Sequence, residues 1–158
     1  MRFVTITFFA FALSFVAPTA PASANTCNDF CFGEDAADSG GSARSGGSAA
    51  ISVARRYMGT NPTGQSRRWC AHFMNMVERK VGRSGTGSGM ARSYAGYGRR
   101  VSSPRAGDIA VLARKGGGHV GYVLSVDGNK VKLLSGNHGG KVGVGSYSRS
   151  RVVAFVRP

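Results

Sequence analysis

From Trp69 to Val81 the large apolar residues recur every fourth position, as Trp69, Phe73, Val77 and Val81, and beyond Pro104 that period disappears. The first pattern predicts an amphipathic helix with one stripe on a core. The second part holds short apolar runs separated by turn residues: Ile109 to Leu112, His119 to Val126, Lys130 to Leu134, Val142 to Val144 and Val152 to Val156. These read as strands, with Asp127-Gly128-Asn129 as a hairpin signal and the polar run Ser146 to Ser150 as a connection. Upstream, Ile51, Ala54 and Tyr57 define a first helix over Ala49 to Met58, stopped by Gly59. Ser88 can cap a short helix through Met90, Tyr94 and Ala95. Helices followed by antiparallel strands make an α+β chain.

The ends of the chain speak to location. Met1-Arg2, an apolar run from Phe3 to Val16 and the small-x-small site Ala22-Ser23-Ala24 predict a signal peptide over 1–24. The protein is therefore expected to be exported, to the periplasm or outside the cell, with no integral membrane segment once the signal is cleaved. Thr26 ahead of Cys27 argues against a lipoprotein. Residues 25–48, rich in Gly and Ser from Ser39, read as a flexible lead-in. Residues 49–158 suit a single domain with one core. The formal charge of +14 predicts attraction to anionic polymers. No Lys/Arg block interleaved with aromatics is present, so nucleic acid is not an expected partner. A monomer is the expectation.

Three cysteines in an exported chain leave one over. Cys27 and Cys31 are placed for a local disulfide, and metal-ligand spacing is absent around them. The odd thiol, Cys70, stands in the first turn of the Trp69–Val81 helix, where unpaired N–H groups and the dipole favour an anion. Two readings stay open: a reactive thiolate or an inert buried cysteine. A nucleophile needs a base and a group to orient it. His72 lies two positions along the same helix and points away. His119 opens a strand after Gly116-Gly117-Gly118, with Gly121 as its small neighbour on the same face, and is the leading base. A three-residue loop at 127–129 would set Asn137 opposite His119; a two-residue loop would set His138 there. Asn137 gives the Cys-His-Asn form of the triad. On this reading the Cys70 helix must cover the His119 side of the sheet; packed on the Val120 side, it would leave no Cys70–His119 site.

Trp69-Cys70-Ala71-x-Phe73, Gly107-Asp108-Ile109, Gly118-His119-Val120-Gly121 and Gly136-Asn137, in that order, resemble the CHAP and NlpC-type cell-wall hydrolases. These are papain-like cysteine amidases and endopeptidases acting on peptidoglycan, and the resemblance spans Ala49 to Pro158. It implies a nucleophile helix packed on an antiparallel sheet, with Cys70 as nucleophile, His119 as base and Asn137 as third member. It also implies an acyl-enzyme on Cys70, held before attack as a thiolate by His119 and the helix dipole. The Cys70 N–H is the first oxyanion donor and Gln65 a second. Trp69 and Tyr57 either line the cleft or pack in the core. Asp108 is expected to bind backbone N–H groups rather than do chemistry. No metal and no cofactor is called for. The other class is a non-catalytic cationic module that binds the wall. Self-remodelling and a toxin or lysis role use the same chemistry.

Overall fold

The computed structural model describes residues 41–158, with side chains from Gly47 onward. The signal segment, the Cys27–Cys31 pair and residues 25–40 of the lead-in lie outside the described residues. Two α-helices, α1 (Gly41–Arg55) and α2 (Cys70–Lys80), precede a 3-10 turn at Ala91–Gly96. Six strands follow: β1 (Arg99–Arg100), β2 (Ile109–Leu112), β3 (His119–Asp127), β4 (Lys130–His138), β5 (Lys141–Ser148) and β6 (Val152–Arg157). They form one antiparallel sheet in the order β1-β6-β2-β3-β4-β5. The Ser146–Ser150 connection thus contributes its first three residues to β5. Among the described residues no helix is long and apolar enough to cross a membrane.

Helix α1 starts at Gly41, eight positions before the periodicity suggested. A Cβ on Gly107 would stand 2.6 Å from the Gly47 Cα. The helix backbone therefore passes directly against the loop that leads into β2. Glycine at both positions permits this approach, and the composition that reads as a linker is what the contact needs.

The sheet has two apolar faces. Val111, Val120, Tyr122 and Leu134 meet the helices, with Trp69, Phe73 and Val77 of α2 fully buried against them. Ala110, Leu112, Val123, Val131, Leu133 and Phe155 form the other face. Helix α2 thus covers the Val120 side, contrary to the expectation from His119. The reason is volume: the Val120 face carries Tyr122 and Leu134, which bury more apolar area under a helix than the face of His119 and Gly121. The small residue that lets α2 approach is Gly136, not Gly121. A Cβ at Gly136 would fall 2.6 Å from the Phe73 Cβ and 2.7 Å from Trp69 Cζ3. Gly136→Ala is expected to overpack this contact and cost about 1–3 kcal/mol, read as a lower urea midpoint; an unchanged midpoint would mean the contact gives way freely.

The β3–β4 register follows both alternatives in turn. Asp127 pairs with Lys130, Val126 with Val131 and Ser125 with Lys132, which is the two-residue loop at Gly128-Asn129. The register then shifts between Val123 and Ser125, so that Val123 pairs with Leu133 and Tyr122 with Leu134. This β-bulge adds one residue on β3 and restores, near the site, the register a three-residue loop would have given. The loop itself is not the one preferred from sequence; left-handed asparagine occurs instead at Asn137, with φ of +58°.

Two buried carboxylates brace the frame. Asp108 accepts two hydrogen bonds from Arg157 at 2.8 Å and one from the Arg105 N–H at 2.9 Å, tying the start of β2 to β6. Glu78, fully buried near the end of α2, is held by Arg83, Tyr97 and Tyr122.

Candidate active site

The chain enters α2 through Arg68, in the left-handed region at φ of +54°. That conformation costs a non-glycine residue about 1 kcal/mol or more and turns the backbone abruptly into the helix. Trp69 at the N-cap makes no side-chain capping bond. The first-turn N–H groups are thus left to other acceptors, and those of Cys70 and Ala71 face the Cys70 sulfur, as does the N–H of Val120. Burial pushes the Cys70 thiol above its ordinary range, while these N–H groups and the charge of Arg114 pull against that rise.

His119 is the first residue of β3 and only 3% exposed. Its Nε2 lies 2.9 Å from Ser135 Oγ, a fully buried hydroxyl, and 3.4 Å from the Tyr147 hydroxyl. Tyr147 in turn lies 3.1 Å from His138 Nδ1. Burial lowers the His119 pKa to about 4, with Arg114, His138 and Arg151 adding to the shift. Both shifts favour the uncharged forms, of the thiol and of the imidazole. Desolvation thus opposes the thiolate that the helix dipole and His119 were expected to hold.

The same shift has a consequence for stability. Between pH 6.5 and about 4 the unfolded chain binds a proton at this histidine that the folded chain refuses. Stability is then greater above pH 6.5 and falls as pH drops towards 4, by about 3 kcal/mol. Urea unfolding at the two ends of this window should show that loss in the wild type and a smaller one in His119→Gln; equal losses would assign it to other groups.

Cys70, His119 and Asn137 line one cavity of about 590 Å³, together with Arg67, Arg68, Arg114 and the Gly116–Gly118 loop. A second cavity of about 320 Å³, lined by His138, Tyr147 and Arg151, shares Arg114, His119 and Asn137 with it. The site thus sits at the end of the sheet, not over a face. His119 pairs with Leu112 in the β2–β3 ladder but lies beyond the last β3–β4 pair, Tyr122 with Leu134, at the strand end where the start of α2 and the imidazole line one cavity.

The remaining predicted residues divide. Asn137 lines both cavities, and the side chain within hydrogen-bond distance of His119 Nε2 at 2.9 Å is Ser135. His138 connects to His119 through Tyr147. Gln65 is exposed and absent from the cavity walls; its carbonyl accepts the Asn61 side-chain N–H at 2.9 Å. Trp69 is fully buried, and Tyr57 is half-buried; each packs edge-on against Phe73 as core. His72 is exposed, as its helix position indicated. Ser135 and Tyr147 were not singled out from sequence. Ser135 was reachable by testing diagonal as well as directly opposed partners of His119, since long side chains span that distance.

Comparison with known proteins agrees with this architecture. No curated protein sequence matches the chain. Among solved structures, the peptidoglycan hydrolase RipB of Mycobacterium tuberculosis aligns with a TM-score of 0.54 at 20% identity, over 75% of this chain and 67% of that one. A hypothetical invasion protein of Mycobacterium tuberculosis aligns with a TM-score of 0.55 at 17% identity, over 73% of this chain and 62% of that one. Ly7917 gives a TM-score of 0.52 at 23% identity, over 71% and 62%. These likenesses are of fold. Residues 61–137, from the loop before Cys70 to Asn137, match the CHAP domain, on the papain-like α+β fold that these solved structures share.

Proposed function

We propose that this protein is an exported cysteine hydrolase that cleaves an amide bond in the peptide part of peptidoglycan. The observation that carries the reading is the convergence of Cys70 and His119 on one cavity at a helix start, within a CHAP match. The fold shared with RipB, itself a peptidoglycan hydrolase, supports the substrate. The excess of positive charge suits an anionic wall.

With His119 Nε2–H donating to Ser135 Oγ, Nδ1 remains as the base. As the Cys70 sulfur attacks the amide carbon, its proton passes to Nδ1, so that charge develops only in the transition state. The tetrahedral oxyanion accepts the Cys70 N–H. The imidazolium then protonates the leaving amine, and water, deprotonated by His119, hydrolyses the thioester. Asn137 shapes the cavity beside the imidazole, and Ser135 holds the ring.

The test is digestion of purified sacculi in ¹⁸O-labelled water, with soluble fragments read by mass spectrometry. New amine ends paired with carboxylates carrying one label support the reading. New reducing sugar ends, or no fragments at all, overturn it. The absence of fragments despite binding to sacculi would favour the alternative of a cationic wall-binding module.

A further inference from the structure

The walls of the larger cavity carry Arg67 and Arg68 on the α2 side and Arg114 and Lys115 on the β2–β3 loop, and no carboxylate. Among the described residues only Glu78, Asp108 and Asp127 are acidic. Glu78 is held by Arg83 and Asp108 by Arg157, while Asp127 sits at the hairpin between β3 and β4, the opposite end of β3 from His119. The cations around Cys70 therefore converge on a concavity without a described carboxylate to neutralise them. Like charges gathered in a cleft repel one another, and the arrangement becomes favourable when an anion enters.

We propose that Arg114, with Arg67 and Arg68 across the cleft, recognises a carboxylate, and that the substrate is a peptide bearing a free carboxylate next to the amide that is cut. This rests on the hydrolase reading of the same site and names its substrate class. Arg114 is the central group because it, like His119, lines both cavities. Its guanidinium offers a planar fork of donors that fits a carboxylate with two parallel bonds. The strained backbone of Arg68 puts a second cation at the helix start, where the scissile carbonyl has to lie. There is a consequence for the chemistry. Arg114 is among the charges that hold His119 weakly basic. A carboxylate seated on Arg114 cancels part of that field, so the correct substrate strengthens the base that acts on it.

Two soluble peptidoglycan peptides test this, identical except that one has free carboxylates and the other has them as primary amides. Binding is measured by calorimetry on Cys70→Ala, and cleavage on the protein with Cys70 intact. The free acid is expected to bind about 10–100-fold more tightly than the amide, the range for a hydrogen bond to a charged group. Arg114→Gln should reduce that preference to less than about threefold, and Arg114→Lys should keep an intermediate preference. Arg79→Gln, an exposed change of equal charge outside both cavities, should leave it intact.

Equal binding of the two peptides would overturn the carboxylate site and leave the hydrolase reading standing. Equal losses in Arg114→Gln and Arg79→Gln would overturn it in favour of general charge attraction. Arg114-dependent binding of a soluble polyglycerol phosphate, with no preference between the peptides, would overturn it in favour of a phosphate polymer. A clear preference without cleavage by the intact protein would support the site and remove the hydrolase reading.

Discussion

Cys70→Ala should reduce fragment release from sacculi by about 10³-fold or more, to the background of the assay, because no other described thiol can form the acyl intermediate. His119→Ala should come close to the same loss. Its imidazole lines the Cys70 cavity and is the base of the proposed mechanism, and residues that act as a unit do not lose rate additively. Ser135→Ala is a different case. It removes the hydroxyl 2.9 Å from Nε2 and leaves the base in place, so a loss of about tenfold in kcat with KM nearly unchanged is expected. Asn137→Ala should mainly raise KM. A larger kcat loss in Asn137→Ala than in Ser135→Ala would return the third position to Asn137. Cys70→Ala with undiminished release would remove the thiol mechanism altogether. Alkylation by iodoacetamide adds a check on the resting charge state: with the thiol raised by burial, the rate should keep climbing above pH 8 rather than level off near neutrality.

Glu78→Ala is expected to cost about 3–5 kcal/mol of folding stability, or roughly 15 °C in melting temperature for a domain of this size. The carboxylate is fully buried and bonded to the Arg83 guanidinium through two contacts, and to the hydroxyls of Tyr97 and Tyr122. Its removal leaves a partly buried cation and two inward hydroxyls without their acceptor, and each bears a desolvation cost that water no longer offsets. Glu78→Gln should fall between, since the amide oxygen still accepts from the tyrosines. Thermal melts followed by circular dichroism decide this, and a loss under about 1 kcal/mol would show that the cluster rearranges freely. The effect reaches the site through geometry. Glu78 fastens the end of α2 to β3, and the other end of the same helix carries Cys70.

Local sequence determined the elements whose pattern is local. The stripe from Trp69 to Val81 marked α2, and the run Ile109 to Leu112 coincides with β2. The Gly107-Asp108 motif indicated a carboxylate that binds backbone, and it does so at the Arg105 N–H. The α+β order, a thiol at a helix start and a histidine at a strand start were all legible, because period, capping and turn chemistry act over a few residues.

Tertiary structure decided the rest. Alternation divides β3 into two faces but does not say which one a helix will cover; the bulk of Tyr122 and Leu134 against the smallness of Gly136 settled that. A bulge near Leu124 changed the hairpin register midway, an outcome of cross-strand packing with no local signature. Ser135 became the partner of His119 because a buried imidazole nitrogen takes the nearest buried hydroxyl, and that proximity exists only once β3 and β4 are paired. Burial raised the Cys70 thiol and lowered the His119 imidazole, against the N–H groups at the helix start. The sequence marked a thiol at a helix start, and the packed sheet end decided how deeply it and its histidine are buried.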